Sequence, residues 1–332
     1  MVQGTKRDAR LALARFELEV GVQPDGPAPG TLSELLYEWL DLHDLSELTR
    51  VNNRAVIRKH VDPTLGRIKV ERLAPRDLDR FYRALTRDGL SPAYVLRIHT
   101  MLSSALAQAV KWGLHVRNPA RDATPPRPPV RRPEAPTPTE VRQLLEVTDG
   151  PFGRFLLLAA TTGARRGELC GLRWEAVDLK RRTLTVRAAV FRAGRSVGEK
   201  HTKTGRERTL ALPAVAVEAL REQRRHAAEL GLAVGVPPSG YVFSQEPDGS
   251  RPWPPDYVTH RFIKLRRQAG VDFRLHDLRH FTATQMLGAG IPVETVSKHL
   301  GHARTSTTQD VYGSSLSENE RRAAEVMGGV FG

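Results

Sequence analysis

The chain has 332 residues and a mass of 36.9 kDa, enough at about 150 residues per domain for two domains. Hydrophobic residues make up 40% and charged residues 27%, which excludes a wholly disordered chain. Lysine and arginine outnumber aspartate and glutamate by 51 to 37, a net charge of +14 with a pI near 10.4. An excess of that size points to a polyanion, most often nucleic acid. No stretch approaches the roughly 20 apolar residues of a membrane span. The first residues, Met1-Val2-Gln3-Gly4-Thr5-Lys6-Arg7, lack the apolar core of a secretion signal. The single cysteine, Cys170, cannot form an internal disulfide, so a reducing cytoplasm is the expected setting.

Residues 5–20 place Leu11, Ala14 and Leu18 at helical spacing, and the stretch after them, with Pro24, Pro27 and Pro29, reads as a hinge. Thr31 with Glu34 forms a capping box that opens a helix carrying Leu35, Leu36 and Trp39. Further helices are expected at about 49–60, 75–86 and 91–112. The last should turn Leu96, Met101, Leu102, Leu106 and Val110 toward a core. Seven of the 23 prolines then crowd into residues 125–138 together with Arg127, Arg131 and Arg132. Such a run is extended and semi-rigid, and marks a domain boundary. It serves either as a basic strap along a phosphate backbone or as a plain spacer.

Beyond the boundary, Thr137-Pro138-Thr139-Glu140 restarts a helix with proline in its first turn, and Phe152–Thr162 is an apolar helix ended by Gly163. Thr183–Val190 and Thr209–Leu212 have strand character, with a polar stretch between them. Helices are expected at about 213–230, 256–269, 275–289 and 292–299. The fold class is therefore mainly α with a small antiparallel β-sheet in the second domain.

Four segments carry candidate chemistry, each with a plain alternative. In Thr162-Gly163-Ala164-Arg165-Arg166-Gly167-Glu168-Leu169, Arg165 at a helix-breaking turn can offer a guanidinium fork to a phosphate, held by Glu168; the alternative is a surface charge cluster. In His201-Thr202-Lys203-Thr204-Gly205-Arg206-Glu207-Arg208, Gly205 suits a hairpin turn with Lys203 at its rim, where solvated lysines are common. In Leu275-His276-Asp277-Leu278-Arg279-His280, His276 and Arg279 share one helical face and pair a titratable group with a permanent cation. His276 and His280 also have the i, i+4 spacing of two zinc ligands, although no further ligand set accompanies them. The fourth is His299-Leu300-Gly301-His302, followed ten residues later by Tyr312 in Thr307-Thr308-Gln309-Asp310-Val311-Tyr312; a tyrosine there is ordinarily a packing residue.

Together, and in this order, these segments resemble the tyrosine recombinase (phage integrase) family. Arg165 in TGARRGEL, Lys203 in the TKTGR turn, His276 and Arg279 in HDLRH, His302 in the Leu-Gly-His box and Tyr312 in TTQDVYGS match that family's catalytic set. The resemblance spans about residues 31–328. It implies an N-terminal helix and hinge over 1–30, left after a missing arm-binding domain, and a helical, SAM-like core-binding domain over 31–118. A proline-rich basic linker over 119–137 and a catalytic domain over 138–332 follow. It implies a two-domain clamp on double-stranded DNA and a mobile element's site-specific recombinase or integrase, with Tyr312 forming a 3′-phosphotyrosyl link. Arg165, Arg279 and His302 would stabilise the non-bridging oxygens, His276 would assist proton removal from the tyrosine, and Lys203 would protonate the leaving oxygen. No ATP, metal or other cofactor is expected. The expected partners are DNA, further copies in a homotetramer through exchange of C-terminal tails over 317–328, and excision or host DNA-bending factors, with no membrane. The alternatives are a type IB topoisomerase and a catalytically silent DNA-binding protein on the same scaffold. Tyr257 is the next candidate nucleophile.

Overall fold

The computed structural model describes residues 30–129, 134–194, 196–201, 207–237 and 239–301. The chain divides into two compact units, Met1–Val130 and Arg131–Gly332. The expected helix at 5–20, the tail over 317–328 and three of the six candidate catalytic residues, Lys203, His302 and Tyr312, lie outside the described residues.

The first unit is built on α1 (Leu32–Leu42), α2 (Glu47–Val56), α3 (Pro75–Arg87) and α4 (Pro92–Lys111). Thr31 and Glu34 cap α1 reciprocally: the Thr31 N–H donates to Glu34 Oε2 at 3.0 Å, and the Glu34 N–H donates to Thr31 Oγ1 at 3.4 Å. Ser46 caps α2, which begins two residues before the expected start and runs into a π-helical turn over Ile57–Val61. The wider turn carries the chain to Asp62, whose carboxylate accepts hydrogen bonds from Ser33 and from Tyr37 Oη at 2.7 Å. Along α4 the buried stripe is Val95, Ile98, Met101, Leu102, Ala105, Leu106 and Ala109. Leu96 and Val110, expected on that stripe, sit half-buried at its edges, because the 3.6-residue period centres on Ile98, Leu102 and Ala105.

The second unit opens with α5 (Pro138–Glu146), capped by Thr137 and Glu140, and α6 (Gly150–Thr162). The short α7 (Arg166–Cys170) follows and rests on β3. Five strands come next: β1 (Val177–Asp178), β2 (Thr183–Val186), β3 (Ala188–Ala193), β4 (Ser196–His201) and β5 (Arg208–Ala211). Helices α8 (Ala214–Ala233), α9 (Pro255–Gln268), α10 (Asp277–Gly288) and α11 (Val293–Leu300) complete the described part. Phe152, Phe155, Phe243, Phe262 and Trp253 anchor the core between α6, α9 and the 241–243 segment.

The strands depart from expectation. Residues 183–190 read as one strand because Leu184, Val186, Ala188 and Val190 all point inward, yet the run changes partner at Arg187. Thr183–Val186 pairs antiparallel with Arg208–Ala211, while Ala188–Ala193 pairs with Ser196–His201. Two small antiparallel sheets result, β1-β2-β5 and β3-β4. Alternation reports which face is buried and is blind to which neighbour supplies the hydrogen bonds. The hairpin expected from the two outer strands is thus an excursion containing β3 and β4, with its described reversal at Gly194. Among the described residues, no helix is long and apolar enough to cross a membrane.

Candidate active site

The site is assembled where two helices end. A helix leaves its last carbonyls without intrahelical partners, and its C-terminal end carries partial negative charge. Both α6 and α11 stop at a glycine in the left-handed region, Gly163 (φ 60°) and Gly301 (φ 69°). These two ends meet: a Cβ built on Gly163 would fall 2.7 Å from Leu300 Cδ2 and 3.2 Å from Thr282 Cβ, so only glycine fits there. Cations and one imidazole take up the orphan carbonyls. Arg279, on the first turn of α10 and only 3% exposed, donates Nη1 to Gly163 O at 2.8 Å and Nη2 to Leu300 O at 2.6 Å. His299 Nε2 lies 3.0 Å from Thr162 O, and Thr282 Oγ1 donates to Ala160 O at 2.8 Å.

Arg165 is the residue immediately before α7. Its N–H donates to Glu168 Oε2 at 2.7 Å and its Nη1 donates to Glu168 Oε1 at 2.9 Å, as the TGARRGEL spacing suggested. Its Nη2 reaches Gly301 O at 3.3 Å. The other half of the Glu168 carboxylate's coordination comes from Arg208, at the start of β5, with Nη1–Oε1 3.0 Å and Nη2–Oε2 2.6 Å. Arg208 Nε also donates to His299 O at 3.0 Å. Burial raises the Glu168 pKa, but the Arg208 fork, the Arg165 N–H and the Arg165 charge outweigh it and hold the carboxyl below its ordinary value.

His276 directly precedes α10 with helical φ and ψ of −67° and −22°. Its ring stacks edge-on against His280 with centroids 5.3 Å apart. Burial lowers the His276 pKa, and the nearby His280, Arg279 and Arg165 charges lower it further, against a weaker pull from Asp277. His280 and His299 are lowered as well, chiefly by burial. In all three the shift favours the neutral imidazole. Among the described residues, no group of three His, Cys, Asp or Glu side chains is disposed to share a metal ion.

Of the six expected residues, Arg165 and Arg279 thus share the joint formed by the Gly163 and Leu300–Gly301 turns. His276 stands on the same α10 turn as Arg279, and its pKa responds to both arginines. Tyr257 packs edge-on against Trp253 at 5.5 Å, and its Oη accepts a hydrogen bond from Arg261 at 3.0 Å. Arg208 and His299 fall within the second and fourth candidate segments, but the sequence assigns neither of them a role. Arg208 lies 40 residues from the carboxylate it grips, and nothing in its neighbourhood marks it apart from other arginines at strand ends. The only local sign for His299 was its place in the His-Leu-Gly-His box.

Residues 136–318 match the model of the phage integrase family, and residues 31–86 match that of a phage integrase N-terminal SAM-like domain. The chain belongs to the phage integrase family of tyrosine recombinases. A XerC-like tyrosine recombinase of Caldanaerobacter subterraneus is 26% identical, over 91% of this chain and 83% of its own. An integrase of Streptomyces ambofaciens is 29% identical, over 92% and 81%. Among solved structures, the Tn1549 transposon integrase in complex with a circular intermediate DNA superposes with a TM-score of 0.75 at 17% identity, over 88% of this chain and 100% of that one. A lambda integrase dimer bound to a core site gives 0.64 at 17% identity, over 85% and 95%. At these identities the structures establish a common fold.

Proposed function

We propose that this protein is the site-specific recombinase of a mobile element, cutting and rejoining duplex DNA through a 3′-phosphotyrosyl intermediate. The observation that carries the reading is the convergence of Arg165 and Arg279, 114 residues apart in sequence, on the turn Leu300–Gly301 that directly precedes His302. Two permanent cations at one joint suit a phosphodiester, whose negative charge increases on its non-bridging oxygens during attack. In the proposed reaction Tyr312 Oη attacks phosphorus as its proton passes toward His276. The bond to the 5′-oxygen breaks, and that oxygen takes its electron pair and a proton from Lys203. Arg165, Arg279 and His302 stabilise the non-bridging oxygens. The phosphotyrosyl bond keeps the energy of the broken ester, so a second 5′-hydroxyl can reverse the step without ATP.

In this reading residues 31–118 form the core-binding domain, 119–137 the linker and 138–332 the catalytic domain. The net charge of +14 supports duplex DNA as the partner. The lambda integrase is known as a tetramer on a Holliday junction, and we assign this chain the same assembly on DNA. The deciding experiment uses duplexes from the DNA flanking its gene, nicked so that the released 5′-hydroxyl fragment diffuses away. The wild type should accumulate a covalent complex, and Tyr312→Phe should bind equally well without forming one. An adduct persisting in Tyr312→Phe moves the nucleophile elsewhere, with Tyr257 next in line. Plasmid relaxation without exchange between two sites would instead make the protein a topoisomerase.

A further inference from the structure

The hydrogen bonds around Glu168 have a direction. Its carboxylate accepts four of them, two from Arg165 and two from Arg208, and each oxygen serves one donor from each arginine. The two arginines are not equivalent. The side chain of Arg165 is 42% exposed and that of Arg208 13%, with Glu168 between them at 4%. Arg208 is also fastened at its opposite edge, through Nε to His299 O. Its guanidinium lies beneath Gly301, where an added Cβ would fall 2.8 Å from Nη1. One guanidinium thus grips the carboxylate that aims Arg165 and also underlies the turn that leads into His302.

We propose that Arg208 is a positioning residue for strand cleavage, holding Glu168, and through it Arg165, in register with the Leu300–Gly301 turn. This rests on the recombinase reading above and extends it to a residue that never meets the scissile phosphate. A lysine cannot do the same work. It carries the charge as a point, whereas this contact needs two parallel N–H groups on one edge and a third on another.

The test is a cycle of Arg208→Lys, Arg165→Lys and the double variant, each assayed for single-turnover formation of the covalent complex on the same nicked duplexes. Misplacing a reacting group by about 1 Å costs on the order of 10²-fold in rate, so Arg208→Lys should slow cleavage by about that factor. DNA affinity by gel shift should not change. The double variant should cleave no more slowly than Arg165→Lys alone, because Arg208 has nothing left to aim. Multiplying losses in the double variant, a loss confined to DNA affinity, or undiminished cleavage by Arg208→Lys would each overturn the proposal. Arg165→Lys that cleaves like the wild type would overturn the recombinase assignment of Arg165, and this inference with it. If Arg208→Lys does not fold, the uncharged pair Arg208→Gln with Glu168→Gln takes its place in the cycle. That pair must show the same non-additivity with Arg165→Lys for the proposal to stand.

Discussion

Arg279 donates Nη1 to the carbonyl of Gly163 at 2.8 Å, so the turn that carries Arg165 is tied to a helix 116 residues further along the chain. The bond exists because Gly163 turns its carbonyl out of α6 at a φ of 60°, a conformation that costs other residues strain. Gly163→Ala should therefore destabilise the catalytic unit by about 1–3 kcal/mol from backbone strain, and by more through the clash with Leu300. Gly270→Ala, at φ 68° with nothing within 4 Å of the new Cβ, isolates the strain alone. Urea unfolding should rank Gly163→Ala clearly below Gly270→Ala. Equal losses would mean that Leu300 moves aside freely.

The Glu168–Arg208 pair makes stability depend on pH. The Glu168 pKa is depressed in the folded state, so its contribution is fully present above the unfolded value of about 4.3. It is lost as pH falls through the lower, folded value. Asp277 is depressed too, its Arg274 contacts outweighing burial, and adds to the same slope. Glu168→Gln should cost about 3 kcal/mol at pH 7, because the desolvated Arg208 loses its counter-charge. The variant should then lose less than the wild type between pH 7 and pH 3. Melting temperatures across that range would show parallel curves if Glu168 had an ordinary pKa.

The pH dependence of cleavage follows from His276. If it receives the tyrosine proton, it must be neutral, and burial followed by the His280 and Arg279 charges extends that state below the ordinary histidine value of about 6.5. The acid limb of single-turnover cleavage should lie below pH 6.5. His280→Gln removes one of the charges opposing protonation and should move the limb to higher pH. A limb that stays in place would separate it from His276.

Lys203 is tested by changing the leaving group. An alkoxide leaves poorly without a proton, and a general acid is typically worth about 10²–10⁴-fold. A thiolate, with an unperturbed pKa of about 8.5, leaves without one. Lys203→Ala should cleave a normal phosphodiester slowly and recover much of its rate when sulfur replaces the bridging 5′-oxygen. Arg165→Ala should not recover, since its proposed work concerns the non-bridging oxygens. Equal impairment of Lys203→Ala on both substrates would assign the lysine to binding.

Local chemistry settled a good part of this protein in advance. Thr31 with Glu34 and Thr137 with Glu140 announce their helices because a capping box needs only four consecutive residues. Gly163 marks the end of α6 for the same reason, and HDLRH places a histidine and an arginine on one turn by spacing alone. The order of the boxes was enough to suggest the family. Pairing was a different matter. Leu184, Val186, Ala188 and Val190 alternate without interruption, yet Arg187 divides them between two sheets, since the period records the buried face and not the hydrogen-bonded neighbour. Arg208 was hidden for a related reason. Its importance comes from a carboxylate 40 residues away and a carbonyl 91 residues away, and distances of that kind leave no periodic trace. The sequence by itself marked the candidate residues for work on a phosphate, because their types and order are local properties of the chain. Only the tertiary structure, by docking the ends of α6 and α11 and leaving their carbonyls to be satisfied, decided which arginine is buried as an anchor and which is left exposed.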